Sequence, residues 1–187
     1  MTVEEAIRTR RSTTRLGDEM DVSVVGQLLQ LAVWAPNHHL TEPWTFTVVT
    51  GSARDRLADT WAEDTQTGLD SALSSDVQNK LIAAERAKIY RAPVLVFVAV
   101  RPQTGNPVTD QEDLAATAAA TQNLLLLAHA KGLGAIWRTG KMARSVAVKA
   151  CLGIHPEARV VAVVYLGAPK KTVPERPRNL DVIRWLA

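Results

Sequence analysis

The sequence contains a single cysteine, Cys151, so no disulfide can form within the chain and a reducing compartment is the expected setting. No charged segment leads into an apolar run after Met1, which predicts no secretory signal. The one extended apolar stretch, Leu114–Ala130, is interrupted by Thr117, Thr121, Gln122, Asn123 and His129 and is short for a bilayer. These absences point to a soluble, cytoplasmic protein. No Gly-x-Gly-x-x-Gly follows a strand-like segment, so a Rossmann or phosphate-loop site has no support. Repeats, low-complexity tracts and linkers are also missing, and 187 residues suffice for one good-sized domain, expected to span 1–187. His38 and His39 are adjacent, but neighbours in sequence rarely converge on one ion, and no ligand pattern accompanies them. The net charge of +3 is too small to suggest nucleic acid by itself, though acidic ligands suit it.

What is present centres on Asp113 to Gly140. Leu114, Ala118, Thr121, Leu125 and Ala128 recur at helical spacing, and most positions between them are alanine or leucine. A helix apolar nearly all round is buried on several sides. Gly132 is placed to end it, with Lys131 in the last turn where a cation suits the helix dipole. A short apolar strand, Ala135-Ile136-Trp137, follows. It exits directly into Arg138-Thr139-Gly140, where a glycine lets a backbone approach a ligand.

Upstream, Thr2 and Glu5 form a capping box for a helix over Val3 to Thr9. That helix runs into Arg8-Thr9-Arg10-Arg11-Ser12-Thr13-Thr14-Arg15. Four arginines interleaved with hydroxyls fit either a solvated face or an oxyanion site, since guanidinium binds phosphate bidentately. The pattern predicts a second helix over Val22 to Ala35, capped by Asp21 and stopped by Pro36. A polar loop through Asn37, His38, Glu42 and Pro43 then leads to a strand over Thr45 to Val49. A helix through Trp61, a polar stretch from Glu63 to Ser75 and a helix over Asp76 to Tyr90 come next. The aliphatic run Val94 to Val100 reads as a central strand covered on both faces. Arg101 to Thr109 reads as a loop. Ser145 caps a short helix, Val146 to Leu152, in which nothing local activates Cys151, so that residue is expected to pack. Val160 to Leu166 is the last strong strand, and a helical turn is expected at Leu180–Leu186. Helices and strands in this order predict a mixed α/β layer with one central sheet.

Several segments, in order, resemble the FMN-dependent nitroreductase family, in its compact single-domain subgroup. They are Arg10-Arg11-Ser12-Thr13-Thr14-Arg15, Ala35-Pro36-Asn37-His38 with Glu42-Pro43-Trp44, Gly132 through Gly140, and the late strand closing on Tyr165-Leu166-Gly167. The resemblance implies an α+β fold with a central, largely antiparallel sheet flanked by helices. It implies a homodimer with FMN at the subunit interface. Arg10, Arg11 and Ser12 would bind the flavin phosphate and ribityl chain, and Trp34 and His38 would contact the ring from the partner subunit. Arg138, Thr139 and Gly140 would present backbone N–H groups to the N5/O4 edge. Ala128, His129, Ala130, Lys131, Gly132 and Leu133 align with a segment associated with the nicotinamide cofactor. Arg176 and Arg178 resemble tail basics that reach the phosphate in larger relatives. Arg10 or Arg15 would stand near the N1/O2 edge, where reduced flavin gathers negative charge.

The implied activity is a ping-pong NAD(P)H oxidoreductase, NAD or NADP serving as reductant. Hydride would pass through flavin N5 to a nitroaromatic, quinone or similar electron-poor acceptor. Such chemistry needs no side-chain acid or base, so no catalytic residue is expected. Expected partners are a second copy of the chain and a small-molecule acceptor, with neither nucleic acid nor membrane. The sequence departs from the family pattern at Glu42, where glutamine is common, at Trp34, where some relatives carry arginine, and at Thr14, often basic, with Arg15 beside it as compensation. The alternative is a flavin-binding protein of the same fold with another role: a flavin carrier, a dehalogenase or a flavin-degrading enzyme. A third reading makes the arginine segment a nucleic-acid arm, which predicts a colourless protein and steeply salt-dependent DNA binding.

Overall fold

The computed structural model of the chain describes residues 1–179 and 181–186. Its centre is β3 (Val94–Val100), seven consecutive buried residues, as the unbroken aliphatic run predicts. Alternate side chains of β3 go to opposite faces. Leu95, Phe97 and Ala99 enter one core cluster with Leu57, Trp61 and Val148. Val94, Val96 and Val98 enter another with Val25, Leu28, Leu124 and Leu125. A strand covered on both sides has no polar face to show, which is why it lacks the usual alternation.

All strand pairings in the five-stranded sheet are antiparallel. β2 (Trp44–Thr50) lies on one edge of β3 and β5 (Arg159–Pro169) on the other. β5 is long enough to serve three partners. Its far edge pairs with β4 (Gly134–Arg138) and then, at Ala168 and Pro169, with the two-residue β1 (Leu16–Gly17). The largely antiparallel sheet flanked by helices is therefore as expected.

One helical layer comprises α2 (Val24–Ala32) and α5 (Pro107–Ala130). The other comprises α3 (Ala53–Thr67), α4 (Ser75–Ala87) and α7 (Val146–Cys151). In α5 the buried face carries Asp113, Ala116, Thr117, Ala120, Thr121, Leu124, Leu125 and Ala128. Thr117 and Thr121 donate their hydroxyls to the carbonyls of Asp113 and Thr117, which satisfies them inside the core. The helix ends as predicted: Gly132 takes φ 75°, and the Leu133 N–H donates to the Ala128 carbonyl at 2.9 Å. Among the described residues no helix is long and apolar enough to cross a membrane.

Several boundaries differ from the sequence reading. α5 starts at Pro107, inside the stretch read as loop, because Asn106 caps the Val108 and Thr109 N–H groups and proline suits the first turn. α2 is shorter than Val22 to Ala35, and the Asp21 carboxylate accepts only from the Ser23 N–H. α3 continues past Trp61 to Thr67 through residues read as a polar stretch, since its outer face is solvated anyway. The helix over Asp76 to Tyr90 tightens into a 3-10 turn at Lys88–Arg91. β1 and the four-residue α6 (Lys141–Arg144) were not anticipated. Cys151 is exposed rather than packed. The tail shows only a turn at 181–182, with Leu180 outside the described residues. The capping box of α1 (Val3–Thr9) is present in full.

Two glycines test this packing in opposite directions. A Cβ at Gly167 would lie 2.7 Å from the Gly17 carbonyl oxygen and 2.8 Å from Pro93 Cδ, neither of which can swing away. At Gly26, inside α2, it would meet nothing within 4 Å. In urea unfolding, Gly167→Ala should lose about 1–3 kcal/mol, whereas Gly26→Ala should gain roughly 0.5–1 kcal/mol from helix propensity.

Candidate functional site

The arginine segment is not a solvated arm. α1 stops at Arg10, whose φ of −57° and ψ of 129° turn the chain out of the helix. Ser12 then forms a parallel bridge with Ala135, and the Thr13 N–H donates to the Ala135 carbonyl at 2.9 Å. The Lys170 N–H, from the end of β5, donates to the Arg15 carbonyl at 3.0 Å. Gly134 makes this close passage possible: a Cβ there would come within 2.6 Å of Leu16 Cδ2 and 3.0 Å of Thr13 Cγ2.

Strapped down this way, the arginines crowd together. The Arg10 guanidinium is held below its usual pKa by burial and by the charges of Arg11 and Arg178. Arg11 donates to the carbonyls of Arg8 and Arg10, yet its buried Nε has no partner. The nearest carboxylate, Glu175, is mostly exposed and stands 3.9 Å from Arg11 Nη2. Arg10, Arg11 and Arg178 thus form a cluster short of anions. Ser12 is exposed beside it, while Arg176 makes no hydrogen bond or ion pair among the described residues.

At the C-terminal end of α5, His129 Nε2 lies 2.8 Å from Thr9 Oγ1. Burial and the charges of Arg10 and Arg11 push its pKa down, so the imidazole is neutral at pH 7. Arg11, Thr13, His129, Gly132, Leu133 and Lys170 line one cavity of about 420 Å³. Ala128 is fully buried and reaches neither this cavity nor the next. Ala130 faces a different groove, and Lys131 is exposed.

Arg138, Thr139 and Gly140 leave the other end of β4, roughly 13 Å away at ~3.3 Å per residue. They line a second cavity, of about 550 Å³. Gly140 is extended, and a Cβ there would meet nothing within 4 Å, so its face is open. The Arg138 guanidinium sits 5.6 Å from the centre of the Tyr165 ring, and its buried Nε has no partner. Burial pushes the Tyr165 phenol up; the charges of Arg138 and Arg91 oppose this, and Glu85 adds to it. The Trp61 indole N–H donates to Glu85 at 3.2 Å, and the Lys88 ammonium binds the other oxygen of that carboxylate. Trp61, Glu85, Lys88, Arg91 and Tyr165 were missed in the sequence. They come from α3, α4, the 3-10 turn and β5, and no local motif links them. Tyr165 stands in the closing Tyr165-Leu166-Gly167 motif, but β5 is buried continuously from Val160 to Gly167, so no alternation marks which side it faces.

Between the two cavities runs the outer edge of β4. Alternation puts the Trp137 N–H and C=O on the same edge as those of Ala135, past the point where the arginine segment pairs. The Trp137 ring itself is fixed by its indole N–H, which donates to the Val161 carbonyl at 3.1 Å.

Trp34 and His38 line neither cavity. Trp34 is 83% exposed, and His38 Nδ1 lies 2.7 Å from Glu112 Oε2 near the start of α5. Glu112 and His129 are separated by about 26 Å along α5 at ~1.5 Å per residue. The loop carrying His38 is strained, with positive φ at His39, Leu40 and Glu42. One chain therefore brings Arg10, Arg11, Ser12 and His129 together at one end of β4 and Arg138, Thr139 and Gly140 at the other, and leaves Trp34 and His38 apart.

Known proteins share this arrangement of elements. A Bacillus subtilis (strain 168) protein that carries the name "Putative NAD(P)H nitroreductase YfhC" is 30% identical over 96% of this chain and 94% of its own length. A nitroreductase-like family protein from Bacillus cereus superposes with a TM-score of 0.85 at 24% identity, covering 100% of this chain and 96% of the other. A structure from Desulfovibrio desulfuricans, solved in complex with FMN, superposes with a TM-score of 0.73 at 26% identity, covering 100% and 99%. The model of the Nitroreductase family matches residues 7–168, from the arginine segment to the last strand, and the chain belongs to that family.

Proposed function

We propose that residues 1–187 form a single FMN-binding domain that pairs as a homodimer and acts as an NAD(P)H oxidoreductase on nitroaromatics, quinones or similar electron-poor acceptors. The observation that carries this reading is that, of the three buried guanidinium Nε atoms without a partner among the described residues (Arg11, Arg54 and Arg138), two, Arg11 and Arg138, stand at the two ends of one strand edge. Buried donors without acceptors are rare and ask for a ligand. Two cationic ends about 13 Å apart at ~3.3 Å per residue, with open backbone between them, suit a long molecule with an anionic terminus and a planar polar head. Flavin mononucleotide has that shape.

Arg10, Arg11, Ser12 and Arg178 would hold the phosphate, replacing mutual repulsion with charge-assisted hydrogen bonds. The backbone of Arg138, Thr139 and Gly140 would meet the head group, with the open face at Gly140 giving room. Arg138, which has no ion pair among the described residues, puts positive charge at that end, which favours the reduced, negatively charged ring. Bound FMN supplies a two-electron relay, for a nitro acceptor ArNO2 + NAD(P)H + H⁺ → ArNO + NAD(P)⁺ + H2O overall. The chain's part is binding, orientation and electrostatics.

A second copy accounts for the residues one chain leaves apart. α1, α2 and the outer face of α5 form an apolar groove of about 370 Å³ with Met1, Val3, Leu31, Leu126 and Leu127. Two α5 helices packed antiparallel across a two-fold axis would carry Trp34 and His38 of one copy to the Arg10 end of the other. Their exposure in one chain then has a purpose, as does the strained loop that aims His38.

The purified protein should show flavin absorbance bands that bleach anaerobically with NADH or NADPH. Bands that persist with both reductants would leave a flavin-binding protein of another role. Arg10→Gln removes about 1.5–3 kcal/mol of charge-assisted bonding, so FMN affinity should fall about 10- to 100-fold in a fluorescence-quenching titration. By light scattering the protein should be a dimer. Leu31→Glu, at a half-exposed groove position, should give a monomer with native circular dichroism that elutes without flavin.

A further inference from the structure

The phosphate end of the site does not use the cations at the other end of β4. The larger cavity is lined by Lys88, Arg91, Arg138 and Lys141 against a single carboxylate, Glu85. Lys88 and Trp61 already occupy Glu85. Among the described residues, Arg91, Arg138 and Lys141 have no ion pair or hydrogen bond to a protein acceptor. Arg10, Arg11 and Arg178 meanwhile supply the charge for a phosphate at the far end. A reduced flavin ring adds one negative charge, which one of the three unpaired cations can match. Two remain, Arg91 from the 3-10 turn and Lys141 at the start of α6, both exposed at the mouth of the cavity. The same cavity has an apolar lining that includes Trp61, Met142, Val163 and Tyr165.

Resting on the oxidoreductase reading above, we infer that the acceptor this site selects is itself an anion: a planar, electron-poor aromatic bearing a carboxylate. The ring meets the apolar lining, and the carboxylate meets Arg91 and Lys141. A neutral acceptor gains the first contact only. Rim cations also raise the encounter rate for an anion, by about tenfold or more in low salt. In the reaction a nitro N–O bond breaks, the nitrogen gains two electrons from NAD(P)H, the oxygen leaves as water, and the carboxylate is unchanged.

The test compares 4-nitrobenzoate with methyl 4-nitrobenzoate as acceptors for the holoenzyme at fixed NAD(P)H. The ester is the more electron-poor ring, so intrinsic reactivity runs against the inference. The expected result is a kcat/KM for the carboxylate at least about tenfold above that for the ester in low salt. That ratio should shrink as salt screens the rim charges and should fall at least threefold in Arg91→Gln and in Lys141→Gln. Turnover of the ester with no preference for the carboxylate, or a ratio unmoved by salt and by both substitutions, overturns the inference and leaves the proposed function standing. A flavin-loaded, NAD(P)H-reducible protein that reduces neither compound overturns the inference, and one that also fails to reduce a quinone such as menadione overturns the proposed function with it.

Discussion

One backbone hydrogen bond, from the Thr13 N–H to the Ala135 carbonyl, holds the arginine segment against the edge of β4, and the whole site depends on that contact. It forms because Gly134 has no side chain at the crossing. The result is a strand edge with fixed ends: guanidinium groups where the arm joins the strand, an open glycine where the strand runs out. Neither end works alone. The first is three cations with too few anions, and the second is backbone and charge without an occupant.

The same economy appears in β5. Its eleven residues hold β3 on one edge and β4 and β1 on the other, so the sheet core and the site are built on one strand. Tyr165 is where the two meet: its backbone pairs with Leu95 and Ile136, and its ring supports Arg138. Packing that stabilises the fold thereby also orients a charged group in the cavity. α5 plays the matching role on the other face, since its buried side anchors the sheet and its ends carry Glu112 beside His38 and His129 beside Thr9.

Much of the fold was legible because its causes are local. The Thr2–Glu5 box, the Gly132 ending and the seven-residue aliphatic run of β3 each follow from a few neighbouring residues, and each is present as read. β1 was not legible, because two residues pair only where the end of β5 happens to pass. α6 is too short to carry a period, and the first turn of α5 was hidden in proline- and glycine-rich sequence that usually means a loop. The site divides the same way. Arg10, Arg11 and Arg138 through Gly140 stand out as contiguous motifs. Glu85, Lys88, Arg91 and Tyr165 converge only through tertiary packing, and on their own helix or strand they look like solvated charge or core.

The Nε donors of Arg11 and Arg138 gain nothing in an isolated chain, and leaving such atoms buried and unpaired is unfavourable by about 1–3 kcal/mol each. A fold selected for stability alone would have paired them or replaced them with apolar side chains of similar size, which is often neutral or better. Carboxylates were available, since 19 acidic residues are present, yet among the described residues the one within ion-pair distance of either arginine is the mostly exposed Glu175, 3.9 Å from Arg11. The strain at His39, Leu40 and Glu42 is a further local cost, offset in part by the hydrogen bonds of His38 with Glu112, of Thr41 to Asp113 and of the Glu42 N–H to Asn37. Sites where local rules fail inside an otherwise consistent fold are the places where function is kept. Two of the four buried polar atoms left unpartnered among the described residues fall at the two ends of β4, and the positive φ angles fall on the loop that carries His38, which are the places that the proposed flavin and the proposed second copy would cover.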